Sequence, residues 1–303
     1  MGMLDGKVVI VTGAGRGIGR DVALAMAANG AKVVVNDLGT ALDGSGTDSG
    51  PAAQVVNEIR TLGGEAVANT DSVADWDSAH NIVNTAISVF GRLDIVVNNA
   101  GIVRDRIFHK MTAEEWKAVV DVHLNGSFYV SRAAAPHFKA QNSGRFIFMT
   151  SASALIGNYG QANYSAAKLG LVALAKSVAL DMSRYGVTAN SVCPFAWSRL
   201  IGSIPADTPE EQERVEKIKT METAKIAPMI VYLGSDGAAD VSGQIFAVRA
   251  NEIFLISQNR PQRALHRAQG WTPESIADHA IAALRPNFYS LDRSADVFSW
   301  DPV

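Results

Sequence analysis

Tyr164 and Lys168 stand four residues apart, and Ser151 lies thirteen residues before the tyrosine. A helix brings residues i and i+4 onto one face, so an ammonium can sit beside a phenol there. Ala166 to Ser177 are strong helix formers with apolar residues on a helical period, which predicts a helix through this stretch. A phenol titrates near ~10 in water and is a poor base at neutral pH. An ammonium within hydrogen-bonding range lowers that value and makes the tyrosine a usable general acid/base. Ser151 closes the apolar run Arg145–Thr150, which has strand character, and strand ends are where an α/β sheet presents its chemistry. Tyrosine and lysine at this spacing also occur on helices by chance. The pair therefore takes its meaning from what lies upstream.

Lys7 to Thr12 is a continuous apolar strand of the kind buried in a parallel sheet. It runs into Gly13-Ala14-Gly15-Arg16-Gly17-Ile18-Gly19 and then into a helical stretch from Arg20 to Asn29. Strand, glycine turn, helix is the layout that aims helix N-terminal amides at a diphosphate. The spacing is T-G-x-x-x-G-x-G, through Thr12, Gly13, Gly17 and Gly19, not the strict G-x-G-x-x-G. The second strand, Ala31–Asn36, ends at Asp37, 18 residues past Gly19. A carboxylate there can accept from the adenosine ribose hydroxyls and would repel a 2′-phosphate, which favours NAD over NADP. Arg16 pulls weakly the other way, since a guanidinium can meet a 2′-phosphate. A solvated turn aspartate is the plainer alternative for Asp37.

The elements that must position these residues alternate along the chain. Leu38 to Pro51, with four glycines, is expected to be a flexible excursion beside the adenosine pocket. A helix near Ala52–Leu62 leads to a third strand near Glu65–Asn69, with Asp71 and Ser72 at its C-terminal end. Leu93–Val97 is a fourth strand, ending in Asn98-Asn99-Ala100-Gly101, where small and amide residues let a cofactor lie against the sheet. Thr112 followed by Glu115 predicts a capping box, and the helix it opens is expected to break near Asn125-Gly126. A sixth strand at Thr188–Pro194, a polar loop or lid from Ala196 to Glu213, a helix at Lys225–Gly234 and a seventh strand at Gln244–Val248 follow. The expected fold is α/β: a doubly wound, predominantly parallel, seven-stranded sheet with helices on both faces. One Rossmann-type domain is expected over residues 1–250, with residues 251–303 an aromatic-containing extension packed on it or on a partner subunit.

Composition bounds the rest. A chain of 303 residues, 48% apolar and 19% charged, can bury a sizeable core. A net charge of −3 argues against nucleic acid as a bulk electrostatic partner. No apolar stretch reaches membrane-spanning length, so a cytoplasmic protein without membrane contact is expected. The histidines show no paired metal-ligand spacing, so no metal is expected. Cys193, the only cysteine, lies in an apolar run as a core thiol. The stretches Met111–Gln141 and Tyr164–Arg184 are apolar on more than one face, which predicts a homodimer or homotetramer.

TGxxxGxG, NNAG and the Ser151/Tyr164/Lys168 set, in this order, resemble the short-chain dehydrogenase/reductase family, over residues 5 to about 250. The resemblance implies a Rossmann domain that binds a nicotinamide dinucleotide and moves hydride to or from a carbonyl carbon. It implies Tyr164 as acid/base, Ser151 holding the substrate oxygen, and Lys168 binding the nicotinamide ribose while lowering the tyrosine pKa. The cofactor would meet Gly13, Arg16, Gly17, Ile18 and Gly19 at its phosphates, and Asp37, Leu38, Asp71 and Ser72 at its adenosine. Asn99, Ala100 and Gly101 would lie along it, with Tyr164, Lys168, Ala196 and Ser198 at the nicotinamide end. Val35–Gly39, Ala68–Val73, Asn98–Asp105 and Gly157–Tyr164 are similar to a branch, the (3R)-hydroxyacyl-CoA dehydrogenase unit of peroxisomal multifunctional enzyme type 2. That branch implies an acyl-CoA substrate in fatty-acyl or steroid side-chain breakdown. Arg104, Arg106 and Lys110 after Asn98–Gly101, and Arg199 after the sixth strand, can line one rim for its phosphates; ordinary solvated charges, with Asp105 among them, are the alternative. A free hydroxysteroid, a polyol or an acyl-carrier thioester is the alternative within the same chemistry. A dinucleotide-sensing protein without turnover is the alternative outside it. The family's usual asparagine falls at His123, with Asn125 two residues on. His123 as a catalytic relay and His123 as a helix residue packed under the site stand level.

Overall fold

The computed structural model describes residues 2–196 and 208–303. It contains one eight-stranded sheet, in the order β3-β2-β1-β4-β5-β6-β7-β8. The strands are β1 (Val8–Thr12), β2 (Lys32–Asn36), β3 (Ala66–Asn69), β4 (Ile95–Asn98), β5 (Gly144–Met149), β6 (Val187–Phe195), β7 (Ile245–Arg249) and β8 (Glu252–Leu255). All neighbours pair in parallel except β7 and β8. The expected sheet is thus present with one more strand, and the expected domain boundary at residue 250 falls in the turn between β7 and β8. Every residue of β1, β4 and β5 is buried, as both-face coverage by helices requires. In β8 the exposed positions are apolar, Ile253 and Leu255, which hides its strand period from a sequence reading.

One face carries α1 (Gly17–Ala28), α2 (Gly50–Thr61) and, past α8 (Pro209–Lys219), α9 (Ala227–Gly234); the other carries α3 (Trp76–Phe90), α5 (Gly126–Gln141) and α7 (Ala162–Met182). Phe138 of α5 packs tightly on the sheet. It is fully buried against Phe146, ring centres 4.8 Å apart, and a Cβ on Gly144 would stand 2.2 Å from its ring. The helix α4 (Ala113–Val120) opens with the predicted capping box: Glu115 N–H donates to Thr112 Oγ1 at 3.2 Å, and Thr112 N–H to Glu115 Oε2 at 2.9 Å. Between α4 and α5 the expected break is instead a π turn, Asp121–Asn125, so the chain stays helical with one residue added to the turn.

Strand order reverses at β1, which pairs with both β2 and β4. Ligands of open α/β sheets bind outside the strand C-termini at such a switch point. The excursion at 38–50, expected to be flexible, lies beside it with its own hydrogen bonds. Ala41 N–H donates to Ser45 carbonyl at 2.8 Å, and Asp48 N–H to Leu38 carbonyl at 3.1 Å. Val103 N–H reaches the Leu42 carbonyl at 3.0 Å and Arg104 Nε the Asp43 carbonyl at 2.9 Å, tying the excursion to the segment after β4. Among the described residues no helix is long and apolar enough to cross a membrane.

Candidate active site

The switch point holds a cleft of about 480 Å³, within the range of small-molecule and cofactor sites. Its floor is the glycine turn between β1 and α1. Gly13 has φ +63°, and a Cβ there would lie 2.7 Å from Ala100 Cα. A Cβ on Gly19 would lie 2.1 Å from the Gly13 carbonyl. Both positions therefore need glycine for close approach of backbone to backbone. α1 has no acidic residue in its first turn, so its free N–H groups and dipole face the cleft uncompensated, a fit for a diphosphate.

Thr12 locks this floor to β4. Its Oγ1 accepts from the N–H of Asn99 and of Ala100, both at 3.0 Å, and Asn99 Nδ2 donates to the Thr12 and Gly13 carbonyls at 2.9 and 3.0 Å. Asn99 was expected only to let a cofactor lie close; its side chain holds the glycine turn in place. Asp37 does similar work from β2. Its Oδ2 accepts from Gly15 N–H and its Oδ1 from Gly39 N–H, each at 2.7 Å. Each oxygen keeps a further lone pair, and the carboxylate lines the cleft. The cleft fits a dinucleotide at both its phosphate and its adenosine ends.

Of the sequence-predicted cofactor residues, Gly13, Arg16, Ile18, Gly19, Asp37 and Leu38 line this cleft, as do Asp71, Ser72, Asn99, Ala100, Gly101, Tyr164 and Lys168. Gly17 does not; its φ of +55° shapes the turn. Ala196 is buried away from the cleft, and Ser198 and Arg199 lie outside the described residues. Sequence reasoning missed Thr40, Leu42 and Gly44, which the ordered excursion brings to the cleft wall. Of the expected phosphate rim, Arg106 is paired with Glu115 at 3.0 Å and Arg104 is engaged with Asp43, while Lys110 is exposed.

The reactive groups meet at the C-terminal end of β5. Ser151 caps the short helix α6 (Ala152–Leu155), its Oγ accepting from Ser153 N–H at 3.2 Å. Asn163 anchors the tyrosine's turn: its Nδ2 donates to the Arg104 and Glu115 carbonyls, and its Oδ1 accepts from Tyr164 N–H at 2.7 Å. Lys168 is 4% exposed, and its Nζ donates to the Met149 carbonyl at 2.6 Å.

The electrostatics depart from expectation. Burial pushes the Tyr164 phenol up to about 12, while the Ser151 hydrogen bond pulls it down. Burial brings the Lys168 ammonium down to about 7. Lys168 Nζ lies 5.6 Å from the centre of the Tyr164 ring, and its near hydrogen bond goes to a backbone carbonyl. Of the groups around the phenol, Ser151 is the one that holds its pKa down against burial. Burial likewise lifts the Cys193 thiol to about 12, so it is the inert core thiol expected.

The π turn puts His123, not Asn125, into the site. The His123 ring meets Tyr164 edge-on with centres 5.2 Å apart, while Asn125 Nδ2 donates to Asp121 Oδ1. His123 Nε2 lies 2.7 Å from the Ile102 carbonyl and 3.1 Å from its N–H. One nitrogen cannot serve both, and the shorter distance puts the proton on Nε2, donating to the carbonyl. Nδ1 is then a buried acceptor without a protein partner. Burial takes this imidazole down to about 3, helped by the nearby Lys168 charge, so His123 is neutral at physiological pH. No cluster able to hold a metal occurs among the described residues.

The short chain dehydrogenase family model matches residues 7–198. The chain is 44% identical to mouse peroxisomal multifunctional enzyme type 2 over 277 residues, covering 91% of this chain but 36% of that one. It thus spans about a third of that relative's length. It is 37% identical to the hydroxyacyl-CoA dehydrogenase ChsB1 of Mycobacterium tuberculosis, covering 95% of this chain and 90% of that one. The crystal structure of a short chain dehydrogenase from Mycobacterium avium superposes with a TM-score of 0.82 at 41% identity, covering 95% and 98% of the two chains.

Proposed function

The chain belongs to the short-chain dehydrogenase family and is an oxidoreductase, and from that premise we propose that it interconverts a (3R)-hydroxyacyl-CoA and the 3-oxoacyl-CoA with NAD. The observation that carries the chemistry is Tyr164 lining a dinucleotide-sized cleft together with Lys168 and His123. The acyl-CoA class rests on the hydroxyacyl-CoA dehydrogenase among the relatives.

In this reading a bound nicotinamide dinucleotide supplies the hydride donor or acceptor. Tyr164 carries the proton on the substrate oxygen: as a phenol at neutral pH it donates to a carbonyl, and as a phenolate it takes the proton of an alcohol. Ser151, at the end of the neighbouring strand β5, holds the same substrate oxygen. Lys168, fixed to Met149, meets the nicotinamide ribose. His123 stays neutral and takes part only as a fixed hydrogen-bonding group beside Tyr164. Asp37 accepts from the adenosine ribose and places an anion where a 2′-phosphate would come, which selects NAD.

The test is a panel of 3-hydroxyacyl-CoA epimers, free hydroxysteroids and polyols, followed at the NADH absorbance with NAD and with NADP. Turnover is expected with the (3R) ester and NAD, little with the (3S) epimer, and a large loss when a short thiol replaces CoA. NADPH should bind far more weakly than NADH, and Asp37→Ala should narrow that gap. If steroids or polyols turn over and no CoA ester does, the acyl-CoA reading is wrong; equal NADPH binding would move selectivity to Arg16.

A homodimer or homotetramer belongs to the same proposal. α5 and α7 leave an apolar groove between them, lined by Phe128, Ala135, Pro136, Leu174 and Val178, and Leu169 and Leu180 of α7 are exposed. Helices that only cover a sheet need one apolar stripe. Light scattering should find at least a dimer at micromolar concentration, and a monomer would remove this part of the proposal.

A further inference from the structure

The segment between β2 and α2 does more than border the cleft: it crosses it. β2 and β4 stand on either side of β1 in the sheet, and the glycine turn leaves the end of β1 between them. Val103 N–H donates to the Leu42 carbonyl at 3.0 Å and Arg104 Nε to the Asp43 carbonyl at 2.9 Å, which joins the chain after β4 to the chain after β2. A link between those two strand ends passes over the end of β1. Thr40, Leu42 and Gly44 from one side and Ile102, Val103 and Arg104 from the other line the cleft beneath it.

The segment is built to move as a unit. At its base Asp48 N–H donates to the Leu38 carbonyl at 3.1 Å, and a Cβ on Gly39, φ +73°, would strike the Asp48 carbonyl. Its tip closes on itself. Ala41 N–H reaches the Ser45 carbonyl at 2.8 Å, and Asp43 Oδ1 accepts from Ser45 N–H and Oγ at 2.9 and 2.7 Å. A loop with joined ends and internal bonds of this kind is a compact Ω-loop. Its hold on the far side is slight: Ala41, Leu42 and Asp43 are exposed, and Gly44 meets Ile102, whose Cδ1 would lie 3.0 Å from a Cβ there. Lifting the tip gives up the two tethers and little buried apolar surface, which is what a low-energy local opening requires. The stretch it closes on is fixed from behind. His123 Nε2 donates to the Ile102 carbonyl and Asn163 Nδ2 to the Arg104 carbonyl. The loop therefore moves and its anchor stays.

We propose that residues 38–48 form a strap that closes a dinucleotide into the cleft and opens for its entry and exit, with Arg104 the residue that positions the strap. This rests on the reading of the cleft as a nicotinamide-dinucleotide site, and on neither the choice of NAD nor the acyl-CoA substrate.

Stopped-flow fluorescence of NADH and of NADPH with the full chain gives association and dissociation rates separately, and amide hydrogen exchange reads the Val103 N–H directly. A strap closed over the empty cleft slows both rates, whereas a side chain that only touches the nucleotide sets dissociation. Arg104→Met removes the donor to Asp43. It should raise both rates, for whichever nucleotide binds, by about tenfold, the weight of one charge-assisted hydrogen bond, with Kd changed by no more than about threefold. Exchange at Val103 should speed up by a similar factor, and bound nucleotide should slow it. Arg104→Lys, which keeps a donor, should bring the rates back toward wild type. Deleting residues 41–45, the tip, removes both tethers and leaves the base. It should raise both rates at least as far, and it stands in for Arg104→Met should that variant not fold. A rise in dissociation alone, or rates unchanged in both variants, overturns the strap while leaving the cleft reading intact. If neither NADH nor NADPH binds the wild type, the cleft reading falls and the strap with it.

Discussion

Tyr164→Phe is expected to leave NADH binding near wild type and to lower turnover by about 10²–10⁴-fold, or more. The substitution keeps the ring that packs edge-on to His123 and removes only the phenolic hydroxyl. The expected pH dependence of the wild type follows from the same group. Its phenol is raised to about 12, so the phenolate needed to oxidise an alcohol is scarce at neutral pH. Oxidation should climb roughly tenfold per pH unit above neutrality, while carbonyl reduction, which needs the phenol, should not. Steady-state rates in both directions, with NADH titration by fluorescence, check both statements. Near-wild-type turnover of Tyr164→Phe would remove this residue from the mechanism.

The second large effect is on stability in acid. His123 titrates near 6.5 when unfolded and at about 3 when folded. Its folded pKa is depressed, so the unfolded chain binds more protons between those values. Above pH 6.5 the group costs nothing, and the loss grows as pH falls toward 3. Between pH 7 and pH 4.5 it amounts to about 2.5 kcal/mol. Urea unfolding of wild type and His123→Asn at both pH values should show the variant losing less stability on acidification by about that amount. Equal losses in the two proteins would mean that His123 is not the neutral buried group described here.

Much of this was readable from residue types. Parallel strands buried on both faces read as near-continuous apolar runs, and Val8–Val11, Ile95–Val97 and Phe146–Met149 are. Glycine where a Cβ would strike backbone made Gly13 and Gly19 equally readable. What sequence did not carry was the partner of each donor when that partner is a backbone carbonyl. Lys168 is spent on Met149, and the excursion at 38–50 is ordered through Leu42 and Asp43 carbonyls. The choice between His123 and Asn125 turned on one added residue in a π turn, which no side chain announces. β8 escaped notice because its apolar residues face solvent.

The contact of the C-terminal segment with Gly157 bears on how the molecule is built in time. Chain elongation proceeds at roughly 5–20 residues per second, and domains form from the N-terminal side as they emerge. The glycine turn, Ser151, Tyr164 and Lys168 all precede residue 170 in the sequence, whereas the bond from Ser294 to Gly157 spans more than a hundred residues. Closing so distant a contact has to wait for the intervening chain and carries its loop entropy. The parts that would hold a nucleotide can thus assemble on the ribosome well before Ser294 reaches Gly157.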